Sequence, residues 1–236
     1  MRLLTVTSCI ALFAMTSNGA QSAESPQEKQ AVMAALQSFN EYIGEWTGKA
    51  ESKTGKTEFW YEKMSWGWKF NKDAAATLAV EFKDSKQFTK GELKYSPDKK
   101  LFQLVVAGAD KKELVFEGKI VRKVLELART DAASKDKYTI RMSSTNEGAL
   151  FNLEYLVQTG GKGIDKKLFI VQSKKEGVSI SGGKKNECVV SGGVGTIPVS
   201  YNGKTYYVCC GGCRDAFNES EAAKKKFVED FEKKKK

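Results

Sequence analysis

The segment Phe151-Asn152-Leu153-Glu154-Tyr155-Leu156-Val157, the turn Gly160-Gly161-Lys162-Gly163 and the return through Leu168 and Ile170 decide the fold of this chain. Apolar residues at every second position put one set of side chains on one face of an extended strand and the polar set on the other. Glycine then lets the backbone reverse. The same pattern repeats upstream at Phe59 and Tyr61, at Leu78, Val80 and Phe82, at Phe102, Leu104 and Val106, at Leu114, Phe116 and Ile120, and at Tyr138, Ile140 and Met142. Turn residues separate the runs: Thr54-Gly55, Asp84-Ser85, Ser96-Pro97-Asp98, Gly108-Ala109-Asp110 and Asn146-Glu147-Gly148. Roughly eight to ten such strands without intervening helices predict an antiparallel meander, and a sheet of that size must close or split to hide its edges. The expectation is a mainly β chain, with an antiparallel barrel over residues 24–180.

A helix precedes the strands. Ser25-Pro26-Gln27-Glu28 has the chemistry of a capping box with proline at the first helical position. Val32, Leu36, Phe39 and Ile43 then recur at three to four residues, which predicts one amphipathic helix over Pro26 to Tyr42. Tyr42-Ile43-Gly44-Glu45-Trp46-Thr47-Gly48, a Gly-x-Trp between a short helix and the first strand, resembles the opening of lipocalin-like (calycin) barrels in secreted bacterial proteins. The resemblance implies that Trp46 closes the barrel floor, and a large aromatic beside a turn glycine suits a core position by itself.

Trp60, Trp66 and Trp68 with Phe59, Tyr61 and Phe70 form the densest aromatic cluster. Rings of this kind fill small barrels; the other reading is an aromatic mouth for a small apolar ligand. Glu113 and Glu117 fall on the polar parity and are expected in solvent. No grouping of Ser, Asp or Glu suggests catalysis, so a non-enzymatic role is expected.

Charge and composition narrow the partners. The chain carries 39 Lys and Arg against 29 Asp and Glu, but only Arg2, Arg122, Arg129, Arg141 and Arg214 are arginine. Lysines mixed with carboxylates make a solvated face instead of the guanidinium forks that read bases and phosphates, so no nucleic-acid partner is expected. Histidine is absent, which leaves sulfur and oxygen as the metal donors. Met1-Arg2, the apolar run from Leu3 to Met15 and small residues up to Ala20 and Ala23 read as an export signal over residues 1–23. Cys9 would leave with it, and Cys188, Cys209, Cys210 and Cys213 would enter an oxidising periplasmic or extracellular space.

The C-terminal end carries the most specific pattern. A glycine and lysine linker at 181–185 precedes a second unit, 186–236, in which Cys188 is followed by twenty residues and then Cys209-Cys210-Gly211-Gly212-Cys213. Two ligands from a glycine-rich knuckle and a third from a distant loop can meet at one centre. Arg214-Asp215-Ala216-Phe217 reads as a first helical turn that places Cys213 at a positive helix end, and Ser220 to Lys236 reads as a helix with Phe227 and Phe231 inward. The lysine tail is solvated and could touch an anionic membrane surface.

This end strongly resembles the YHS or TRASH family of heavy-metal-associated domains, on Cys188-Val189-Val190-Ser191-Gly192, on Val199-Ser200-Tyr201-Asn202-Gly203-Lys204-Thr205-Tyr206-Tyr207-Val208-Cys209 and on Cys213-Arg214-Asp215-Ala216-Phe217. The resemblance implies a small α+β treble-clef-like module with Cys188, Cys209 and Cys213 as metal ligands and Cys210 outside that pattern. An all-sulfur donor set suits Zn(II) or Cu(I) and not a hard cation. A disulfide from Cys188 to the knuckle, capping a carrier barrel, is the competing reading in an exported protein. Cys210-x2-Cys213 also has thiol-exchange spacing, but no βαβ pattern surrounds it.

Overall fold

The computed structural model describes residues 25–72, 74–178 and 186–235, so the expected signal segment with Cys9 and the expected linker at 181–185 lie outside the described residues. Helix α1 (Pro26–Gln37) starts at a reciprocal cap: the Ser25 amide donates to Glu28 Oε2 at 2.7 Å and the Glu28 amide donates to Ser25 Oγ at 3.2 Å. It does not run on to Tyr42. The helix ends at Gln37 and a separate 3-10 turn spans Asn40–Tyr42. Ser38 and Asn40 favour local side-chain bonding over helix, and the break lets Phe39, Tyr42 and Ile43 all enter the core.

Ten strands follow: β1 (Gly44–Ser52), β2 (Phe59–Lys69), β3 (Thr77–Lys83), β4 (Phe88–Ser96), β5 (Leu101–Gly108), β6 (Glu113–Val121), β7 (Val124–Thr130), β8 (Lys137–Thr145), β9 (Leu150–Gln158) and β10 (Lys166–Lys175). Each pairs antiparallel with its sequence neighbours, and β10 pairs with β1 to close the barrel. Trp46, Trp66, Phe116 and Phe151 are among the fully buried side chains that fill it. Trp46 is tied down by its indole N–H, which donates to the Tyr42 carbonyl at 2.7 Å. Tyr42 in turn donates its hydroxyl to the Met142 carbonyl at 2.9 Å and packs edge-on against Phe151.

Three expected parities fail. In β2, Phe59 and Tyr61 face solvent, 54% and 71% exposed, and the inward set is Glu62, Met64, Trp66 and Trp68. In β10, Phe169, Val171 and Ser173 point inward instead of Leu168 and Ile170, after a register shift between Lys167 and Phe169. Ile120 near the end of β6 is also exposed. Strands β2 and β10 carry apolar residues on both faces, so alternation does not choose between them; closure against β1 does. The pairing of Ser173 with Gly48 illustrates it, because a Cβ on Gly48 would collide with the Ser173 hydroxyl. Glu113 and Glu117 lie in solvent, as expected.

The C-terminal part contains the ribbon β11 (Asn186–Glu187) with β12 (Val194–Gly195), the hairpin β13 (Ile197–Tyr201) with β14 (Lys204–Val208), and helices α2 (Gly211–Asn218) and α3 (Glu221–Lys233). Asn202 and Gly203, both with positive φ, make the two-residue reversal of the hairpin. In α3, capped by Ser220, the inward residues are Val228 and Phe231, with Phe227 half-buried. This part packs on the barrel: α2 lies against β2, and one continuous apolar core includes Trp68 and Phe70 together with Cys209, Val208 and Phe217. No helix among the described residues is long and apolar enough to cross a membrane.

Candidate metal centre

Three separate pieces of backbone deliver the three sulfurs. The turn Cys188-Val189-Val190-Ser191-Gly192 is closed by the Cys188 amide donating to the Gly193 carbonyl at 2.6 Å and the Gly192 amide donating to the Cys188 carbonyl at 2.9 Å. The Val189 amide donates to the Tyr207 carbonyl at 2.9 Å, which stitches this turn beside β14 and so beside Cys209 at its end. Cys213 sits in the first turn of α2, as the helix start anticipated, where the helix dipole favours negative charge. The sulfurs of Cys188, Cys209 and Cys213 all lie within 4.8 Å of one another, and all three residues are buried.

This donor set fits a soft ion. A tetrahedral ion with metal–sulfur bonds of about 2.3 Å requires sulfurs about 3.8 Å apart. Cys209 Sγ and Cys213 Sγ are 3.4 Å apart, so binding asks for a shift of a few tenths of an ångström between them. The four described cysteines are free thiols.

Ser191 supports the cluster from within the turn. Its amide donates to Cys188 Sγ at 3.4 Å, its hydroxyl lies 3.3 Å from Cys209 Sγ, and the residue is fully buried. Such partners orient ligands and stabilise thiolate over thiol. The Ser191 carbonyl is held in turn by the side chains of Gln37, at 3.2 Å, and Asn40, at 2.8 Å. Asn40 Oδ1 accepts from the Trp68 indole at 3.3 Å. The end of the barrel thus props the loop that carries the sulfurs.

Cys210 lies beside the triad and not in it. Its sulfur is 3.9 Å from Cys209 Sγ, accepts the Trp68 backbone N–H at 3.4 Å, and is half-buried. The two glycines after it have different jobs. A Cβ on Gly212 would overlap the Trp68 carbonyl, so glycine there lets α2 touch β2, whereas Gly211 faces open space.

The thiols share their protons unevenly. Cys188 and Cys210 are pushed well down because, as thiolates, each accepts from the S–H groups of Cys209 and Cys213. Cys209 and Cys213 are pushed up because Cys188 leads the neighbours that hold their protons. Like charges this close cannot all form without a countercharge. A cation supplies one, and binding would release the remaining protons.

The structure brings together Cys188, Cys209 and Cys213 and leaves Cys210 adjacent to them. The aromatic cluster of β2 does not form one lining: Trp66 and Trp68 are buried, Trp60 is half-buried at the far end of the strand, and Phe59 and Tyr61 are outside. Ser191 and Trp68 as partners of the sulfurs, and Asn40 as a support of the Ser191 carbonyl, escaped the sequence reading. For Ser191 the signal was present, since a residue three after a cysteine can turn its amide back onto the sulfur.

No family profile matches the chain, and no curated protein matches it. Among solved structures, the crystal structure of Rv2717c from M. tuberculosis matches over 60% of this chain and 97% of its own length, at 14% identity and a TM-score of 0.39. At that level nothing is transferred from that protein to this chain.

Proposed function

We propose that this chain is an exported, non-catalytic protein that binds one soft metal ion, Zn(II) or Cu(I), at Cys188, Cys209 and Cys213, and serves heavy-metal sensing, buffering or delivery outside the cytoplasm. The observation that carries the reading is the meeting of three buried sulfurs from sequence-distant segments within 4.8 Å, in a chain with no histidine. Resemblance of Cys188 to Phe217 to YHS or TRASH domains supports the heavy-metal assignment. The basic, apolar and small-residue order of residues 1–23 supports export. The rings packed inside the barrel leave a carrier of apolar ligands without a supporting observation.

When bound, the ion supplies the charge that holds the three thiolates together. The Cys188 turn and the α2 start position the sulfurs, and Ser191 donates to them. The test is metal analysis of the reduced full chain after loading with Zn(II) or Cu(I) and removal of free ion. One ion per chain is expected, lost in Cys188→Ser, Cys209→Ser and Cys213→Ser. A reduced wild-type chain that retains neither ion refutes the proposal.

A further inference from the structure

Cys210 is the sulfur that the three-ligand site does not use. It has three properties that the buried triad lacks together: partial solvent exposure, a sulfur neighbour inside the site at 3.9 Å, and a backbone donor from another part of the fold. The donor is the Trp68 amide of β2, 142 residues away in sequence, and it fixes the sulfur on the side of α2 that meets the barrel. Cys210 is half-buried where the three triad cysteines are buried, so of the four it is the residue nearest to solvent. Cys188, Cys209 and Cys213 are at most 5% exposed and cannot be reached directly by a bulky carrier.

We infer that Cys210 is the exchange thiol through which a soft ion, delivered or removed as a thiolate complex, enters and leaves the site; the inference rests on the metal reading above. The step is ligand substitution without oxidation or reduction. The Cys210 thiolate bonds the ion as one carrier sulfur–metal bond breaks, and the carrier sulfur leaves as a thiolate that takes its proton from water. Cys209 Sγ, 3.9 Å away, then bonds the ion as the Cys210–metal bond breaks, and the Cys209 proton passes to the freed Cys210 sulfur. Vicinal placement serves this transfer, since the receiving sulfur is the next residue in the chain. The partner so defined is a thiol-bearing carrier of a soft ion, a small thiol or a cysteine pair on a protein surface.

A group that lies only on the path changes loading and release by the same factor and leaves affinity, their ratio, unchanged. The experiment follows the thiolate-to-Cu(I) absorbance in a stopped-flow mixer. The reduced full chain is loaded from Cu(I)–glutathione and unloaded to excess bathocuproine disulfonate. Cys210→Ser is expected to keep one ion per chain and an affinity within about threefold of wild type, while loading and release each slow by about tenfold or more. Wild-type rates in Cys210→Ser overturn the inference. So does a fall in Cys210→Ser affinity of more than about tenfold, which would make Cys210 a fourth ligand. Retention of the ion in Cys188→Ser would instead strike the metal reading itself, so the two failures are distinguishable.

Discussion

Replacing Gly212 by alanine adds one methyl group at the point where α2 meets β2. The new Cβ would overlap the Trp68 carbonyl, a backbone atom in a paired strand, so no rotamer change relieves it. Relief requires α2 to move off the strand. Overpacking of this kind costs about 1–3 kcal/mol. Lengthening the bond from the Trp68 amide to Cys210 Sγ removes about 0.5–1.5 kcal/mol more. The helix preference of alanine over glycine offsets at most about 1 kcal/mol. The net loss is about 2 kcal/mol, or about 4–8 °C in Tm for a chain of this size. Gly211→Ala is the internal control: it makes the same chemical change one residue earlier in the same helix, with nothing within 4 Å. It should be neutral or gain up to about 1 kcal/mol. Urea titration followed by tryptophan fluorescence measures both. Equal midpoints for wild type, Gly211→Ala and Gly212→Ala would refute the close packing of the cysteine part on the barrel.

Glu62 is buried inside the barrel and accepts the Trp60 indole N–H at 2.8 Å, and burial raises its pKa above the ordinary 4.5. The folded state therefore holds its proton longer than the unfolded state, and stability falls as pH rises through the unfolded value to the folded one. Denaturant titrations of Glu62→Gln should show a gain at pH 7 that disappears below about pH 4; a gain independent of pH would contradict the assignment. Trp46→Ala should cost about 3–5 kcal/mol in the same titration, because it empties a fully buried site and frees the Tyr42 carbonyl. Ser191→Ala should weaken metal binding by about 10–100-fold in chelator competition while keeping stoichiometry, through loss of the hydroxyl at Cys209. Mass spectrometry of protein recovered from an exporting host should place the mature N-terminus after Ala20 or Ala23; retention of Leu3 to Met15 would contradict export.

The barrel was legible because strands such as Leu150–Gln158 carry their apolar residues mainly on one parity, and a one-residue slip would turn that set to solvent. Strand β2 was not legible in the same way. Phe59-Trp60-Tyr61 offers rings to both faces, and the buried parity contains Glu62, which reads as a solvent residue. In β10, Leu168 to Val171 is apolar throughout, and the long-range pairing of Ser173 with Gly48 belongs to the face that closure chooses. The sulfur triad was visible because ligand spacing is a local property of sequence. Its supports were not, since Gln37, Asn40 and Trp68 reach the site only when the C-terminal part docks on the barrel, and docking leaves no periodic trace. Gly212 belongs to the glycine-rich knuckle of the sequence, and its structural demand is the contact with Trp68.

X-ray absorption at the metal edge of the reduced, loaded full chain tests the central claim most directly, because it counts the donor atoms around the ion. The account predicts a shell of three sulfurs at about 2.3 Å for Zn(II), reduced in Cys188→Ser and unchanged in Cys210→Ser. A shell dominated by oxygen or nitrogen, or one that survives the loss of Cys188, would contradict it.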